Sequence, residues 1–315
     1  MAETSALVRP AVLLSTGCLF HLPLPVIARV GAAAGFAGLD LVMGSSKIAP
    51  GPEVFAAHTL LPVRVVHAPF RNWSAWGGHL DAWRAAARLA GELAAARLAG
   101  EFAAAQPVHV TLHPPAGTLR DAIQTRWFAR AVDLPRLLDA APGVSFSLEN
   151  LPWASPLLGG GGLFAKDSLS ALLNQCQDKD LGLTLDVCHL GVSGRDVLAD
   201  LERIPVELVR HVHCSDADGL REHLPPGLGR LPVGPFLARL GARGYVGTVS
   251  LELDPAFLPD VVDGGGRDSE PALIRELTRL RLGVEAALAG NPPQDWAGSR
   301  ETVRRNAGLG VASLG

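Results

Sequence analysis

Short apolar runs rich in β-branched residues alternate along the chain with longer stretches whose apolar residues recur at helical spacing. Eight of the short runs have the length and composition of buried strands. Strands that alternate with helices in this way are typical of a parallel sheet joined by crossover helices. The predicted strands are 12–15, 39–43, 63–67, 108–113, 144–149, 183–187, 211–214 and 248–253.

Each predicted strand is followed by a helical stretch, and eight strand-then-helix units favour a closed (β/α)₈ barrel over an open doubly wound sheet. Glycines at 35–38 and 241–244 predict turns that end a helix and lead into the next strand. The predicted helices are 25–35, 53–58, 79–105, 119–140, 167–177, 195–202, 234–243 and 271–288. We expect residues 1–290 to form this single α/β barrel domain and 291–315 to form a C-terminal tail packed on it.

One predicted helix contains two near-copies of a nine-residue segment, 87–95 and 96–104. Nine residues turn a helix by about 900°, so the two leucine-rich stripes face opposite sides and one is less well buried. We interpret this helix as elongated and partly exposed. It is a surface at which a homo-oligomer could form.

Composition limits the classes of partner. The 315 residues carry 28 basic and 31 acidic side chains, a net charge of −3, without a block of like charge. A basic surface for nucleic acid is therefore not expected. Each apolar run is shorter than the roughly 18 residues that a membrane span needs, and the four cysteines form no Cys-x-x-Cys pair. These features predict a soluble, cytoplasmic protein with reduced thiols and no membrane partner.

Polar side chains stand where six of the predicted strands end. They are His67, His113, Glu149, Asp186, His213 and Glu252. Because the carboxyl ends of the strands of such a barrel converge on one face, we expect these side chains to become neighbours. A buried ionised carboxylate is strongly unfavourable unless it is paired or bound to a metal ion.

Three carboxylates and one imidazole at adjacent strand ends predict a divalent metal site made of Glu149, Asp186, His213 and Glu252. An oxygen-rich set with one histidine suits Mn²⁺, Mg²⁺ or Co²⁺ and does not exclude Zn²⁺. Mn²⁺ is our first expectation. Any one of these residues could equally be an ordinary loop anchor, so the prediction depends on the set.

Several motifs follow predicted strands three to eight in order. They are Val66-His67-Ala68-Pro69, Leu112-His113-Pro114, Ser147-Leu148-Glu149-Asn150, Leu185-Asp186-Val187-Cys188-His189, His211-Val212-His213 with Asp216, the loop 223–229, and 247–252. In these motifs the chain resembles the xylose isomerase-like TIM barrels, a superfamily of sugar-phosphate isomerases and epimerases and of apurinic endonucleases (AP endonuclease family 2). The resemblance implies that Glu149, Asp186, His213 and Glu252 bind the metal. It also implies that Glu149 and Glu252 form the catalytic acid/base pair of an epimerase.

Moving a proton between carbons beside a carbonyl needs a base, an acid and a positive centre near the oxygens. The first hypothesis is therefore a metal-dependent isomerase or epimerase of a sugar, sugar phosphate or related polyhydroxy keto compound, acting through a metal-stabilised enediolate. Its partner is a small molecule, in the first instance a carbohydrate. The predicted substrate-binding residues are His67, His113, His189, Arg221, His223, Trp73 and Trp153, of which His189, Arg221 and the tryptophans could also be ordinary loop residues.

A second hypothesis is a multi-zinc hydrolase of the phosphodiester class. With the four core ligands, His67, His113, His189 and His223 nearly complete the ligand set of the apurinic-endonuclease branch, which holds three zinc ions. That branch has an aspartate two residues before the last of these histidines, where this chain has Arg221. The difference favours one ion, and the lack of a basic surface argues against DNA. A hydrolase of a smaller compound, a lyase and a dehydratase remain alternatives, and a non-catalytic binding protein ranks last.

Overall fold

The computed structural model describes residues 9–44, 51–70, 73–99, 107–115, 126–152, 168–259, 269–294 and 296. Eight parallel strands close into a barrel. The barrel strands are β1 Ala11–Ser15, β2 Leu39–Val42, β3 Val63–His67, β4 Val108–Leu112, β5 Val144–Glu149, β6 Gly182–Asp186, β7 Val209–Cys214 and β10 Thr248–Leu251. In the barrel β10 lies between β1 and β7, and the other neighbours are consecutive. The predicted (β/α)₈ barrel is confirmed, and each strand ends within about two residues of its predicted bounds.

Helices surround the barrel and bury one apolar face each. In the last of them, buried Leu273, Leu277, Leu280 and Val284 recur every three or four residues, the spacing of a stripe that faces the strands. Among the described residues, no helix has the length and apolar character needed to cross a membrane. The helices are α1 Leu24–Ala33, α2 Pro52–Leu60, α3 His79–Ala99, α4 Arg126–Arg130, α5 Leu134–Leu137, α6 Ser168–Asp178, α7 Val187–Val192, α8 Val197–Arg203, α9 Val233–Ala242 and α10 Ser269–Leu288.

The prediction of one continuous helix over 119–140 is wrong, because α4 and α5 are separate. The side chain of Asp133 accepts a hydrogen bond from the backbone N–H of Arg136 and so begins a new helix. Pro135 in the first turn has no N–H with which to continue the preceding helix. Residues 100–106, 116–125 and 297–315, which include parts of the predicted helices and most of the predicted tail, lie outside the described residues.

Two elements that the sequence pattern did not predict follow the carboxyl ends of β6 and β7. Helix α7 starts directly after β6, and the Asp186 side chain caps it by accepting a hydrogen bond from the backbone N–H of His189 at 2.8 Å. The strands β8 Asp216–Asp218 and β9 Arg221–Leu224 form an antiparallel hairpin after β7. Both elements carry residues toward the end of the barrel where the predicted site residues lie.

The barrel interior below this end is polar. His109 of β4 lies 2.9 Å from Ser145 Oγ and 2.6 Å from Ser147 Oγ, and Thr111 Oγ1 lies 3.0 Å from Thr184 Oγ1 across the intervening strand. Burial lowers the pKa of His109 to about 3, so this imidazole is neutral near pH 7. Buried polar groups that pair in this way keep the interior stable without an apolar layer.

Asp216 anchors the loop that connects the hairpin to α9. Its buried carboxylate accepts hydrogen bonds from the backbone N–H groups of Ala217, Gly227, Gly229 and Leu231 at 2.8–3.0 Å. The loop between residues 225 and 231 is therefore fixed by one side chain.

Replacing Asp216 with alanine is expected to lower the free energy of unfolding by about 3 kcal/mol or more. The change leaves several backbone donors without their charged acceptor, and each such bond contributes roughly 1–3 kcal/mol. Asp218→Ala is the matched control, because Asp218 is 46% exposed and its side chain forms a surface ion pair with Arg230. Urea denaturation checks both variants, and equal destabilisation by the two would contradict the assignment.

Candidate metal and substrate site

Glu149 lies at the centre of a buried cluster at the carboxyl end of the barrel. It is the last residue of β5, and its Oε2 lies 3.1 Å from His67 Nε2 and 3.0 Å from His113 Nε2. Its Oε1 lies 3.1 Å from His213 Nδ1. One carboxylate thus lies within hydrogen-bonding distance of imidazoles from the carboxyl ends of three other strands, β3, β4 and β7.

The structure brings the four predicted metal ligands together around His213 Nδ1. Glu149 Oε1 and Glu252 Oε2 each lie 3.1 Å from this nitrogen, and Asp186 Oδ2 lies 3.7 Å from it. Within the described part of the chain, the buried Asp186 Oδ2 makes no hydrogen bond. Three carboxylates and one imidazole that converge on a point, with one carboxylate oxygen not hydrogen-bonded, fit a divalent cation.

The electrostatics of the cluster agree with this fit. Burial disfavours the charged form of His213, but the carboxylates of Glu252 and Glu149 outweigh burial and raise the pKa of His213 well above its ordinary value. Burial likewise disfavours ionised Glu149, yet His213 and His113 hold the pKa of Glu149 well below its usual range. A proton on His213 therefore attracts the same carboxylates that a divalent cation would.

His189 belongs to the cluster because α7 places it there. Its Nδ1 lies 2.9 Å from the backbone oxygen of Asn150, 3.4 Å from Glu149 Oε1 and 3.5 Å from Asp186 Oδ2. The Asn150 side chain donates to the backbone oxygen of Asp186 at 2.9 Å and accepts from its N–H at 2.7 Å. Asn150, which the sequence did not single out as a site residue, therefore fixes the ends of β5 and β6 relative to each other.

His223 lies at the edge of the cluster, at a residue with φ of 56°. Its ring is 5.8 Å from that of His189, edge to face, and its backbone N–H donates to Cys188 Sγ at 3.3 Å. Asp186, His223 and Glu252 offer one ligand atom each within 4.8 Å of one another. The predicted loop histidine is thus within reach of two of the predicted metal ligands.

Further donor groups surround the four core ligands. His67, His113 and Glu149 form one such group, and Glu149, Asp186 and His189 form another, each with ligand atoms within 4.8 Å. Together with the group that contains His223, the donor atoms suffice for more than one ion. The geometry therefore leaves both the one-ion and the multi-zinc hypotheses standing.

A cavity of about 840 Å³ opens beside Glu252 and His223. Its volume falls in the range of small-molecule sites, roughly 300–1,000 Å³. Arg221 lines this cavity, and its guanidinium carbon lies 4.6 Å from the centre of the Phe257 ring. The hairpin thus places a positive group on the wall of the cavity.

Of the two tryptophans predicted to bind substrate, the structure describes only Trp73. Trp73 stacks on His79 with ring centres 4.3 Å apart and donates to the backbone oxygen of Pro69 at 3.1 Å. Among the described residues, it is not one of those that line the cavity. Trp153 lies outside the described residues.

Sequence reasoning missed Asp40 and His211, which lie beneath the cluster. Asp40 Oδ2 on β2 is 3.3 Å from His213 Nε2 and 3.3 Å from His211 Nε2, although three barrel neighbours away from β7. Despite burial, the two imidazoles hold the pKa of Asp40 below its usual range. The available signals were a carboxylate inside the apolar strand Leu39–Val42 and the spacing of two between the histidines, which puts both on one face.

We expect Asp40, whose Oδ2 lies 3.3 Å from the other ring nitrogen of His213, to help orient Nδ1 toward the carboxylates. Asp40→Asn is therefore expected to lower the affinity for a divalent ion by about 10- to 100-fold. A competition titration against a fluorescent chelator measures this affinity. Ser250→Ala is the control, because Ser250 is buried in the barrel but, among the described residues, its hydroxyl makes no hydrogen bond. Unchanged affinity in Asp40→Asn would show that Asp40 does not orient the ligand.

Comparison with known proteins finds relatives that are similar in sequence. An uncharacterized protein of Mycobacterium tuberculosis, Rv0498, is 27% identical over 275 residues, which are 78% of this chain and 90% of that protein. The uncharacterized protein MJ1311 of Methanocaldococcus jannaschii is 31% identical over 113 residues. That alignment spans 35% of this chain and only 37% of the archaeal protein.

Three solved structures share the fold. L-ribulose 3-epimerase has a TM-score of 0.59 at 15% identity, covering 97% of this chain and 99% of its own. The 3-keto-D-glucoside 4-epimerase of E. coli has a TM-score of 0.57 at 15% identity, and the match covers 87% of this chain and 100% of that protein. The IOLI protein, solved with a bound zinc atom, has a TM-score of 0.55 at 12% identity, and the match covers 90% of this chain and 99% of that protein.

The model of one protein family covers most of the barrel. It is described as the xylose isomerase-like TIM barrel, and it matches residues 31–278. This range includes all the motifs on which the sequence resemblance depended. The chain therefore belongs to the xylose isomerase-like TIM barrel family.

Proposed function

We propose that this protein is a divalent-metal-dependent isomerase or epimerase of a sugar, sugar phosphate or related polyhydroxy keto compound. The observation that carries the proposal is the contact of Glu149 and Glu252 with one nitrogen, His213 Nδ1, at 3.1 Å each. Since β6 and β7 separate β5 from β10, the two carboxylates reach this point from different directions. That arrangement suits a base and an acid on two sides of one carbon.

The residues that would hold the ion are Glu149, Asp186, His213 and Glu252, with Mn²⁺ as the first candidate. A divalent ion bound there would polarise a substrate carbonyl and offset negative charge on its oxygen. Glu252 lines the cavity with 21% of its side chain exposed, so it can accept a proton from a bound substrate. Glu149 is buried and would return a proton to the other side, for which it must enter the step protonated and leave it ionised, while Glu252 does the reverse. Return to the same carbon inverts it, and return to the neighbouring carbon moves the carbonyl.

The histidines and Arg221 complete the proposed site. His189 and His223 stand beside the carboxylates, where neutral or charged imidazole can donate hydrogen bonds to substrate hydroxyls. Arg221 on the cavity wall can bind a hydroxyl, carboxylate or phosphate group. The sugar epimerases among the structural neighbours support the reaction class through the shared fold, and the residues of this chain supply the rest of the argument.

The test is hydrogen exchange with solvent. The protein, loaded with Mn²⁺, is incubated in D₂O with ketoses, keto-inositols and sugar phosphates, and proton NMR follows the carbon beside the carbonyl. The expected result is deuterium incorporation that stops when the ion is removed by a chelator. No incorporation into any of these compounds at full metal loading would contradict the proposal.

A multi-zinc hydrolase is the second candidate, favoured by the additional donor groups around His67, His113, His189 and His223. It predicts about three zinc ions per chain and cleavage of a small phosphodiester such as bis(4-nitrophenyl) phosphate. Against it stands Arg221, whose guanidinium lies over Phe257 and supplies no ligand. A lyase or dehydratase would begin with the same proton abstraction, and loss of water from the substrate in the NMR assay would identify it.

A further inference from the structure

The cavity beside the cluster has two unlike walls. The wall formed by the hairpin and the end of β10 carries all the charged side chains that line the described cavity, Arg221, Glu222, Glu252 and Asp254, together with His223 and the apolar Leu220 at its edge. The opposite wall is formed by the ends of β1, β2 and β3 and the start of α1. Its side chains are mainly apolar and include Leu22, Leu24, Ile27, Met43 and Phe70.

The apolar wall offers little to a polyhydroxylated ligand. On the described part of this wall, Thr16 supplies the only side-chain hydroxyl. It accepts a hydrogen bond from the backbone N–H of Val42 at 2.9 Å, so its O–H is a single donor for the several hydroxyls of a sugar. A hydroxyl group buried without a hydrogen-bond partner is unfavourable. A free sugar that filled the cavity would place several hydroxyls in that position.

Two exposed apolar side chains extend the apolar surface to the mouth of the cavity. Phe20, after the turn that follows β1, is 74% exposed, and Leu220, at the tip of the hairpin, is 73% exposed. They lie 200 residues apart in the sequence, and both line the cavity. Exposed apolar groups that gather around one opening are typical of a ligand-binding site, whereas isolated ones need no explanation.

We infer that the substrate is a hydroxyketone or keto sugar that bears an alkyl or aryl substituent. Its hydroxycarbonyl group faces Glu252 and His223, and its apolar group lies against the partly exposed side chains of Leu22, Leu24 and Phe70. The inference rests on the proposed function and narrows its substrate class. On this inference, an unsubstituted sugar is not the substrate.

The test uses hydroxamates, which bind metal ions through two oxygens as a hydroxycarbonyl group would. Calorimetry with the Mn²⁺-loaded protein compares acetohydroxamate, octanohydroxamate and threonohydroxamate. Each methylene removed from water raises affinity by up to about fourfold. The expected result is that octanohydroxamate binds at least tenfold tighter than acetohydroxamate, while threonohydroxamate gains nothing. Equal affinities, no binding by any of the three, or a preference for threonohydroxamate would overturn the inference.

Three serine variants locate the preference. Phe20→Ser and Leu220→Ser are expected to reduce the octanohydroxamate-to-acetohydroxamate ratio at least threefold each and to leave acetohydroxamate affinity unchanged. Val246→Ser is the control, because Val246 is 61% exposed and precedes β10 at the other end of the barrel. A ratio that falls equally in all three variants, or in none, would show that the preference does not come from this cavity.

Solvent exchange separates this inference from the proposed function. Deuterium incorporation is compared between 1-hydroxy-2-octanone and erythrulose. Exchange into both at equal efficiency would leave the function standing and overturn the substrate class. A chain-length preference in binding without exchange into any hydroxyketone would overturn the function and leave the apolar site standing.

Discussion

Glu252→Gln is expected to lower the turnover number by about 100- to 10,000-fold, the range that a general acid or base contributes. The amide keeps the size of the side chain but cannot accept a proton at neutral pH. Glu252 is the carboxylate of the cluster that lines the cavity, so the loss should appear in solvent exchange at saturating Mn²⁺. Glu149→Gln is expected to lower turnover at least about a hundredfold and to weaken metal binding as well, because Glu149 contacts three imidazoles directly.

Glu222→Gln is the matched control for both variants. Glu222 lines the same cavity and lies next to His223, but it is outside the groups that could hold an ion. Turnover within about threefold of the native protein is expected for Glu222→Gln. Exchange that persists at the native rate in both Glu149→Gln and Glu252→Gln would show that neither carboxylate moves the proton.

Metal-free protein is expected to lose stability as the pH rises from 6.5 to 8.5. Although burial opposes it, the neighbouring carboxylates raise the pKa of His213, His67 and His189 above the ordinary value of 6.5. The stability that these imidazolium groups contribute is complete below pH 6.5 and is lost as the pH rises through their folded-state pKa values. Each proton accounts for about 1.4 kcal/mol per pH unit, so a loss of at least about 1.4 kcal/mol is expected.

Other buried groups act outside this range. The pKa values of Glu149, Asp186 and Asp40 are lowered, so their contribution is lost only as the pH falls below about 4. Histidines whose pKa values are lowered by burial are neutral in the folded state above pH 6.5, and the remaining charge that they lose in the unfolded state near that pH offsets only part of the expected loss of stability. The buried thiols titrate only near and above pH 9. These residues are His109, His113, His211, Cys18, Cys188 and Cys214.

Urea denaturation in EDTA at several pH values measures the predicted slope. Repeating it with saturating divalent ion is the control, because an ion that takes the place of the His213 proton removes the dependence on that proton. The curve with ion should be nearly flat above pH 6.5. A flat or rising curve in EDTA would contradict the electrostatic description of the cluster.

The barrel could be predicted because each strand is a buried apolar run with a clear end. The alternation of short apolar runs with stretches of helical spacing predicted the order of the elements. The turns at Gly35 and Gly244 have a positive φ, 80° in each case, which glycine adopts readily. The missed elements are short. Helix α7 has six residues and the hairpin strands have three and four, too few to show a period. The prediction of one helix over 119–140 was wrong because Asp133 and Pro135 start a new helix inside a longer apolar pattern.

The core of the site could be predicted for a related reason: Glu149, Asp186, His213 and Glu252 each close or follow a strand, where the barrel topology itself makes them neighbours. Asp40 could not be assigned in this way, because its contact with His213 crosses the barrel interior and depends on side-chain reach between non-adjacent strands. The apolar wall of the cavity could not be predicted from the sequence either. Leu22 and Phe70 lie in loops, and their sequence neighbours do not show that they face one space.

The most direct test of the metal site is the number of ions bound per chain, measured by equilibrium dialysis against Mn²⁺ and Zn²⁺ followed by elemental analysis. We predict one tightly bound ion in the native protein and none in Asp186→Asn, whose asparagine can still cap α7. Asp196→Asn, the same change at the cap of α8, should retain the ion. No bound ion, about three zinc ions, or a full ion in Asp186→Asn would contradict a single site formed by Glu149, Asp186, His213 and Glu252.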